Sequence, residues 1–554
     1  MPTIKSYNKR LEALKTERST FIPLYRELSD YHLAHRGRFL TSDRNKGYKR
    51  NTRQYNNTSR MASRTLASGM MAGITSPARP WFKLQASDPD LNNSAAVKNW
   101  LHQVQQTMYR VFSQSNTYNA LHTVYAELGV FGTAPMGVFH DFDNVIRCKP
   151  YTVGSYCIAS NGFNEIDTFY REYELTVAEC VKQFGKENCS THVQQQWKNG
   201  NTEAWVRIVH VVEPNDDRDM NSPMARDKAW RSVYYEYEAD GRGEEKFLRR
   251  SGFDDDPILC PRWDITGEDI YATDCPGMTA LGDTKALQLG EKRKYQAIDK
   301  MSNPQLAGPA NLIKRLKNAG VGGHVSTDSP NESLDSIYGN WRPDLNAIMQ
   351  DISVVEERIK RSFYEDLFLM ISMSDRRQIT AREIAEKQEE KLLMLGPVLE
   401  RLHAELLDPL IDRTFNILTK AGVLPLPPQE LQGSELQVEY VSILAQAQRM
   451  VAVTGIERLA GFGAQLATVW PEARHKINAT EMIDEYAESV GVNPRTVRAD
   501  EEAAELNAAE QQAIAAQQAN EQAAQAAQTA KTASETDMEG NNALSTMLRN
   551  AGLQ

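Results

Sequence analysis

Residues 66–84 read LASGMMAGITSPARPWFKL, a helical stretch followed closely by two prolines and two aromatic residues. The small and apolar residues continue a helix from TSRMASRT and should stop before Ser76-Pro77, because proline disfavours a helical conformation in the preceding residue. In Arg79-Pro80-Trp81-Phe82 the fixed φ of proline predicts a rigid turn. Aromatic side chains bury large areas. We therefore interpret the turn as a rigid element that anchors the two aromatic side chains in a hydrophobic core, rather than as a partner-binding site.

Helical patterns flank this segment on both sides. Upstream, apolar residues recur at helical spacing over residues 21–31, with Thr20 as the predicted N-cap. Downstream, two helices are predicted at about 94–114 and 117–130, with Asn116 as the cap of the second. The first 130 residues are therefore predicted to be mainly helical.

The pattern of the sequence changes between about residues 134 and 275. Short segments rich in β-branched and aromatic residues alternate with Gly, Asn and Asp, which is typical of strands joined by turns. One predicted helix, TVAECVKQFG, interrupts these segments and ends on Gly185. The combination predicts an α+β fold that is predominantly helical.

Two helices with one apolar face each are predicted in the middle of the chain. The first covers about 279–301. Its apolar face consists of Leu287, Tyr295, Ile298 and Met301. The second opens at Pro343 and keeps one apolar stripe as far as Met370, which would make it about 40 Å long. A helix with a single apolar stripe needs a surface to pack against.

The last third of the chain contains two proline signals and a low-complexity tract. Thr380 and Glu383 have capping-box spacing and start a predicted helix. Pro397 and Pro409 should each kink or break this helix, because proline removes a hydrogen bond and clashes with the preceding turn. The Ala/Gln-rich sequence after residue 501 has helix propensity but little to bury, so it is predicted to be disordered or a marginal exposed helix.

Length and composition exclude several classes of protein. The chain has 554 residues, enough for three or four core-sized units at about 150 residues each. Its apolar and charged fractions, 41% and 25%, are typical of soluble globular proteins. No apolar run reaches the ~18 residues of a membrane helix, and the N-terminus lacks the apolar core of a signal peptide.

Motifs of the common enzyme classes are absent from the sequence. It contains no phosphate-binding loop, no zinc-protease motif and no nucleophile elbow. The aspartates at 254–256 could bind a hard cation, but consecutive carboxylates point in different directions, so a turn is favoured. Two cysteine pairs share one spacing, Cys148/Cys157 and Cys180/Cys189. We interpret all six cysteines as reduced thiols, and predict neither a metal nor a cofactor.

Charge is distributed unevenly along the chain. Residues 1–64 hold 15 Lys and Arg against 5 Asp and Glu, whereas the rest holds 48 against 68. A basic segment on an acidic body indicates contact with a polyanion or docking onto an acidic neighbour, with a solvated basic surface as the alternative. The basic arm, as we name it, consists of Arg44, Lys46, Lys49, Arg50, Arg53, Arg60 and Arg64.

Several segments resemble the head-to-tail connecting, or portal, proteins of short-tailed bacteriophages. The most specific is residues 66–84. The others are NEIDTFYREYELTVAECVKQFG (164–185), WVRIVHVVEPN (205–215), SGFDDDPILCPRWDITGEDIY (251–271) and QITAREIAEKQEEKLLMLGPVLERL (378–402). Together they follow the order of the family over roughly residues 20–420.

The resemblance implies the phage portal fold, assembled as a ring of twelve subunits through which double-stranded DNA enters and leaves the head. Neither an enzymatic activity nor a membrane contact is expected. The implied parts are a wing (1–278), a first stem helix (279–301), a clip (302–342), a second stem helix (343–370), a channel loop with a kinked wing helix (371–424), a crown (425–500) and the Ala/Gln-rich tail (501–554).

The implied channel loop contains two adjacent arginines, Arg376 and Arg377. The resemblance implies that this loop projects into the channel. We therefore expect the arginines to contact DNA phosphates without reading bases, so that binding has no sequence specificity. Pairing with Asp375 or with a carboxylate of a neighbouring subunit is the alternative.

The implied clip carries a second basic group on a short predicted helix: Lys314, Arg315 and Lys317. The resemblance places this end against the packaging motor, which is the terminase large subunit, and later against the tail adaptor protein. We interpret these residues as a docking site, with a solvated helix face as the alternative. The basic arm would bridge to a neighbouring subunit or to the capsid. The remaining implied partners, within the virion, are the major capsid protein, the scaffolding protein and the internal core or ejection proteins.

Two other classes of function compete with this interpretation. A nuclease or another enzyme of DNA metabolism would need clustered carboxylates and a divalent metal. A different structural or scaffolding protein would predict long coiled coils and no mixed β region. The missing motifs weaken the first alternative, and the β region and matched segments weaken the second.

Overall fold

The protein divides into two compact units, Met1–Ala452 and Val453–Gln554, in a computed structural model. In the first unit the structure describes residues 2–34, 36–39, 54–88, 91, 94–220, 222–242, 246–319, 327, 335–337, 344–369, 395–431 and 436–441. In the second unit it describes residues 459–463, 465–466, 470, 476, 478, 482–483, 486, 508–510 and 512–525. Residues 512–525 form a helix whose side chains are exposed, in agreement with the marginal exposed helix predicted for this tract.

Helices and strands of the first unit together confirm an α+β fold in which helix predominates. The helices are α1 (Ile4–Ser19), α2 (Ile22–Tyr31), α3 (Thr58–Gly73), α4 (Ala95–Gln114), α5 (Thr117–Phe131), α6 (Val177–Phe184), α7 (Thr191–Lys198), α8 (Pro276–Thr279), α9 (Leu281–Ser302), α10 (Ala310–Ala319), α11 (Leu345–Ser362) and α12 (Asp408–Lys420). The strands are β1 (Phe82–Ala86), β2 (Met136–Asp141), β3 (Val145–Pro150), β4 (Tyr156–Ser160), β5 (Ile166–Thr176), β6 (Trp205–Pro214), β7 (Trp230–Glu236), β8 (Phe247–Phe253), β9 (Ile258–Leu259), β10 (Leu306–Ala307), β11 (Asp335–Ser336) and β12 (Leu436–Tyr440).

Five antiparallel strands form the main sheet, in the order β4-β5-β6-β7-β8. Neighbours in the sheet are neighbours in the chain, and the connection between β5 and β6 contains α6 and α7. Successive side chains of a strand face opposite sides of its sheet. Val209 and Val211 accordingly pack against α1, whereas Ile208 packs against α6 and α7. The sheet therefore lies between helices, with α1 on one face and the α6–α7 pair on the other.

The largest apolar core surrounds residues 66–84. Trp81 and Phe82 are both fully buried in it, and the Trp81 ring stacks on Phe112 with 6.0 Å between ring centroids. Their backbone N–H groups both donate to the Tyr109 hydroxyl at 2.9 Å. These contacts confirm the predicted aromatic anchor. β1 begins directly at Phe82 and pairs with β12, which brings residues 436–440 back to this core.

Local capping signals were predicted with mixed success. Thr176 and Glu179 form a reciprocal capping box at the start of α6, and Gly185 ends that helix as predicted. Thr20 as the N-cap of α2 is wrong: it closes α1 instead, and its hydroxyl donates to the Glu17 carbonyl at 3.0 Å. Asn116 does flank α5, but its side chain makes no capping hydrogen bond there.

Two predictions about long helices have different outcomes. The continuous helix over 343–370 is wrong, because α11 ends at Ser362 and Tyr364 adopts a left-handed φ of 52°. At Pro409, where a kink or break was predicted, the α-helical pattern is interrupted by a π-helical turn, His403–Leu407, directly before α12. A wider turn removes the clash between the proline ring and the preceding carbonyl. The capping box at Thr380 lies outside the described residues.

Candidate functional site

The two helices predicted as the stem, α9 and α11, pack against each other. Gly290 of α9 faces Ile352 of α11, and a Cβ at Gly290 would make an ordinary van der Waals contact, 3.7 Å from Ile352 Cγ1. Across the pair, Arg358 binds Asp283 at 3.0 Å. The buried side chains of α11 are Ile352, Val355 and Ile359. The apolar stripe predicted for the second helix is therefore its packed face.

A polar cluster fixes both helices to the start of α3. Gln288, buried on α9, accepts hydrogen bonds from the backbone N–H groups of Tyr55 and Asn56 at 2.5 and 2.9 Å. It also donates to the Asn56 carbonyl at 2.8 Å. The Asn56 side chain in turn donates to Glu356 on α11 at 2.7 Å and to Glu291 on α9 at 3.2 Å. One asparagine thus connects both helices to the residues between Arg53 and Arg60 of the basic arm.

The predicted apolar face of α9 is divided between core and surface. Leu287 is buried, whereas Tyr295, Ile298 and Met301 expose 56%, 40% and 45% of their surface. These three residues are three positions apart, so they form one continuous stripe along the helix. Single exposed apolar residues are ordinary, but a continuous patch of large ones marks an interaction surface. We name these three residues the α9 stripe.

The short helix predicted to carry the second basic group is confirmed as α10, which lies between α9 and α11 in the chain; its assignment to a clip stays a prediction. Lys314, Arg315 and Lys317 are all exposed, while Leu312 on the same helix is buried. The short strands β10 and β11 precede and follow α10 in the chain. They pair with each other, with Leu306 opposite Ser336. The basic residues therefore lie together on the surface of one helix, and their docking role stays a prediction.

Most of the remaining predicted site residues cannot be placed. Arg60 and Arg64 lie one turn apart on α3, Arg60 half-buried and Arg64 exposed. The other residues of the basic arm and the channel arginines fall outside the described residues: Arg44, Lys46, Lys49, Arg50, Arg53, Arg376 and Arg377.

The residues just before the basic arm are anchored through a buried carboxylate that the sequence did not single out. Glu127 on α5 accepts from the Arg36 guanidinium at 3.2 Å and from the Val153 backbone N–H at 3.1 Å. Burial raises the pKa of Glu127, and the positive charge of Arg36 opposes that rise. Gly154 has a φ of +85°, and a Cβ there would collide with the Arg38 carbonyl. The chain is thus held in place on the near side of the arm.

Arg262 is the centre of a buried hydrogen-bond network, also missed by the sequence. Its guanidinium donates to one Glu405 oxygen through Nη2 at 2.6 Å and through Nε at 3.0 Å. Its backbone N–H donates to the other oxygen at 2.7 Å, and Nη2 also reaches the Asn164 carbonyl at 2.8 Å. Glu405 belongs to the π-helical turn before Pro409. The pair therefore fixes the broken helix to the β region.

The three consecutive aspartates at 254–256 lie in the bend between β8 and β9. Asp254 pairs with Lys228 at 2.9 Å, and Asp255 pairs with Arg413 at 3.1 Å. Asp256 accepts from a backbone N–H two residues further on, at 2.8 Å, and burial raises its pKa to about 8. The three carboxylates diverge, which confirms the predicted turn.

Two kinds of feature are missing from the part of the chain that the structure describes. No helix there is both long enough and apolar enough to cross a membrane. Nor does any group of three His, Cys, Asp or Glu side chains come together there as a set of metal ligands.

Comparison with known proteins finds relatives that match nearly the whole chain. Residues 4–497 match the family described as "Bacteriophage head to tail connecting protein". The chain is 45% identical over 541 residues to the probable portal protein of Bordetella phage BPP-1, covering 97% of this chain and 96% of that one. It is 42% identical over 546 residues to the portal protein of Salmonella phage epsilon15, covering 98% of each.

Solved structures show only a distant likeness. The neck of an empty gene transfer agent particle aligns with 77% of this chain and 92% of its own, at 11% identity and a TM-score of 0.37. That score is too low to carry an argument, whereas the sequence matches confirm the predicted resemblance and the connecting function at the head-to-tail junction. The chain belongs to the family of bacteriophage head-to-tail connecting proteins.

Proposed function

We propose that this connecting protein forms a ring of about twelve identical subunits, and that double-stranded DNA passes through the ring during packaging and ejection. The observation that carries the proposal is the α9 stripe. Removing apolar surface from water gains about 25 cal/mol per Å², so a neighbouring subunit that covers the stripe would stabilise an assembly. The portal proteins of the two related phages support the same role.

The surface that would cover the stripe lies on the other helix of the pair. Met349 and Val354 on α11 expose 48% and 59% of their surface. A contact between the α9 stripe of one subunit and α11 of the next joins two unlike surfaces. Contacts of this head-to-tail kind leave an open surface on each added subunit until the assembly closes into a ring. A symmetric dimer would instead bury the same surface on both partners.

Replacing Tyr295 and Ile298 with serine should prevent ring assembly and leave the subunit folded. Both side chains are exposed in the subunit, so their loss removes contact area only between subunits. We expect the fraction of protein in rings to fall at least about tenfold at equal concentration, because about 1.4 kcal/mol per contact suffices for that. Native mass spectrometry measures the fraction, and circular dichroism checks the fold.

The matched control replaces two exposed aromatic residues far from the helix pair in sequence, Phe142 and Phe163, with serine. They expose 97% and 88% of their surface and lie in turns of the β region. This variant should assemble normally. Rings formed at the normal level by the Tyr295/Ile298 variant would rule out the stripe as the subunit interface.

Arg376 and Arg377 are proposed to contact the DNA backbone in the channel, on the evidence of the sequence resemblance. Replacing both with alanine should alter packaging or retention of DNA and leave ring assembly intact, because phosphate contacts depend on charge. A double lysine variant keeps the charge and should retain most of the function. Packaged DNA per particle, measured before and after storage, reports both properties. Normal packaging and retention in the alanine variant would end this proposal.

Lys314, Arg315 and Lys317 are proposed to dock the packaging motor and the tail adaptor. Their exposure together on α10 supports this role. Changing Lys314 and Lys317 to glutamate should weaken binding of both partners to assembled rings and make the residual binding less sensitive to salt. The matched control makes the same change at Lys5 and Lys9, which are exposed one turn apart on α1. Equal binding by the two variants would leave α10 a solvated surface.

The basic arm is proposed to reach a neighbouring subunit or the capsid. The hydrogen bonds of Arg36 to Glu127, before the arm, and of Asn56 to Gln288, between Arg53 and Arg60, fix described residues on both sides of residues 44–53. Cross-linking of assembled particles tests the role. Lys46 and Lys49 should link to another subunit or to the capsid protein, and links confined to their own subunit would contradict it.

A further inference from the structure

The fold separates one of the two cysteine pairs of equal spacing and brings the other pair together. Cys148 lies in the large core around residues 66–84, and Cys157 lies in the separate core beneath α1. Cys180 and Cys189, by contrast, lie in the same core, with their sulfur atoms 3.9 Å apart. We propose that Cys180 and Cys189 are a modification site, at which a disulfide bond forms once the assembled protein has left the reducing cytoplasm.

The backbone, rather than a chance rotamer, brings the two sulfurs together. Cys180 lies on α6, whose start is fixed by its capping box. Cys189 is followed by Ser190, and the backbone N–H and hydroxyl of Ser190 donate to the Glu236 carboxylate of β7 at 2.8 and 2.6 Å. A disulfide requires the sulfurs to approach to about 2.05 Å. Bond formation therefore requires the sulfurs to move about 2 Å closer, through side-chain rotation together with an adjustment of the loop that carries Cys189.

The surroundings identify which sulfur reacts first. Both thiols are buried among apolar side chains of α6, α7, β6 and β8. Contact with the Cys180 thiol lowers the pKa of Cys189, with a smaller contribution from the charge of Lys246, while burial and the charge of Glu236 oppose this. The pKa of Cys180 is raised by the same contact. Since the thiolate is the nucleophile, Cys189 is the attacking residue.

The reaction is a thiol–disulfide exchange with a small disulfide such as oxidised glutathione. The Cys189 thiolate attacks one glutathione sulfur, forms a mixed disulfide and releases one glutathione thiolate. Cys180 then loses its proton and attacks the Cys189 sulfur, which releases the second glutathione. Two protein thiols are oxidised and one glutathione disulfide is reduced to two thiols. Because both sulfurs are buried, the first step needs a local opening of residues 185–190.

The bond would close a short loop between α6 and α7. A disulfide stabilises a fold largely by restricting the unfolded chain. Thiols stay reduced in the cytoplasm, where the virion is assembled, and disulfides persist in oxidising surroundings. The modification would therefore leave folding and assembly unaffected and strengthen this part of the subunit in the released particle.

The purified full chain incubated with oxidised glutathione tests the proposal. After unfolding and alkylation, free thiols should fall from six per chain to four, and reduction should restore all six. Peptide mapping should show one bond, joining Cys180 to Cys189, with a mass decrease of about 2 Da for the two hydrogens lost. Six remaining thiols, or a bond between any other cysteines, would overturn the proposal, as would a stable glutathione adduct without the Cys180–Cys189 bond.

Two double variants distinguish disulfide formation at this pair from general oxidation of cysteines. The variant with Cys148→Ser and Cys157→Ser removes the pair of equal spacing and should still lose two of its four thiols. The variant with Cys180→Ser and Cys189→Ser should lose none. Loss of thiols at equal rates in both variants would show that proximity of the sulfurs does not direct the reaction. The mapping of the unmodified chain decides the question even if a variant fails to fold.

Discussion

Arg262→Ala should lower the free energy of unfolding by about 3–5 kcal/mol. Arg262 is 3% exposed, and its removal leaves the Glu405 carboxylate without the guanidinium that binds it at 2.6 Å. The Glu405 side chain is only 20% exposed, so its charge keeps much of the cost of desolvation when it loses its partner, and the Asn164 carbonyl loses a donor as well. The Arg262 backbone N–H still reaches Glu405, but a single neutral donor cannot replace the charge. Urea unfolding followed by tryptophan fluorescence measures the change.

Arg401→Ala is the matched control for this prediction. Arg401 lies one turn before Glu405 and pairs with Asp264 at 3.1 Å, but Asp264 is 56% exposed. An ion pair in contact with solvent contributes at most about 1 kcal/mol. The double variant Arg262→Met with Glu405→Leu removes both charges and should recover much of the lost stability. If Arg262→Ala costs no more than Arg401→Ala, the pair does not hold the broken helix to the β region.

Gly69→Ala should lower the free energy of unfolding by about 2–3 kcal/mol, although alanine is the better helix former. Gly69 lies on α3, in the segment 66–84, and packs against Phe368 in the residues that follow α11. A Cβ at Gly69 would lie 2.2 Å from the Phe368 Cβ and 2.5 Å from its ring. Phe368 is only 1% exposed, and a Cβ moves only with its backbone. One of the two helical segments must therefore shift.

Gly282→Ala is the matched control for Gly69→Ala. Gly282 is also a helical glycine, on α9, but a Cβ there meets nothing within 4 Å. This substitution should raise the stability by up to about 1 kcal/mol, through helix propensity alone. Thermal and urea unfolding of the two variants separates the contact from the propensity. A Gly69→Ala protein as stable as the Gly282→Ala protein would show that the close approach of α3 to Phe368 has no energetic role.

Elements with local signals could be predicted from the sequence. The helix α6 and its end at Gly185 were predicted because the signal is local; its capping box of Thr176 and Glu179 is also local, although it was not predicted. The Trp81 anchor follows from a proline-fixed turn next to aromatic residues. The irregularity before Pro409 follows from the chemistry of proline. A kink or break was predicted there, and the π-helical turn that the structure has was not.

Elements that depend on distant partners could not be predicted. Asn116 has a capping position, but its side chain pairs with the backbone of Cys148 at 2.7 and 2.9 Å, which no local pattern reveals. The end of α11 was missed because apolar spacing reports burial rather than continuity: Leu367 is buried although the helix has already ended. Arg262 and Glu405 are 143 positions apart, so neither predicts the other.

In the candidate site, too, a feature with a local pattern could be predicted, whereas its distant partner could not. The apolar stripe of the second stem helix was predicted because its spacing is regular, and it forms the packed face of α11. The helix predicted as the first stem helix has a less regular apolar face, and Tyr295, Ile298 and Met301 of that face remain exposed. Periodicity identifies a face that needs a partner and cannot say whether that partner belongs to the same subunit. For α9 we assign the partner to the next subunit.

The native mass of the purified full chain, with negative-stain images of the same sample, tests the ring most directly. The account predicts a closed ring of about twelve subunits with a central hole, assembled through the α9 stripe. Monomers or dimers that persist across several salt concentrations, and with the scaffolding protein present, would contradict the proposed ring.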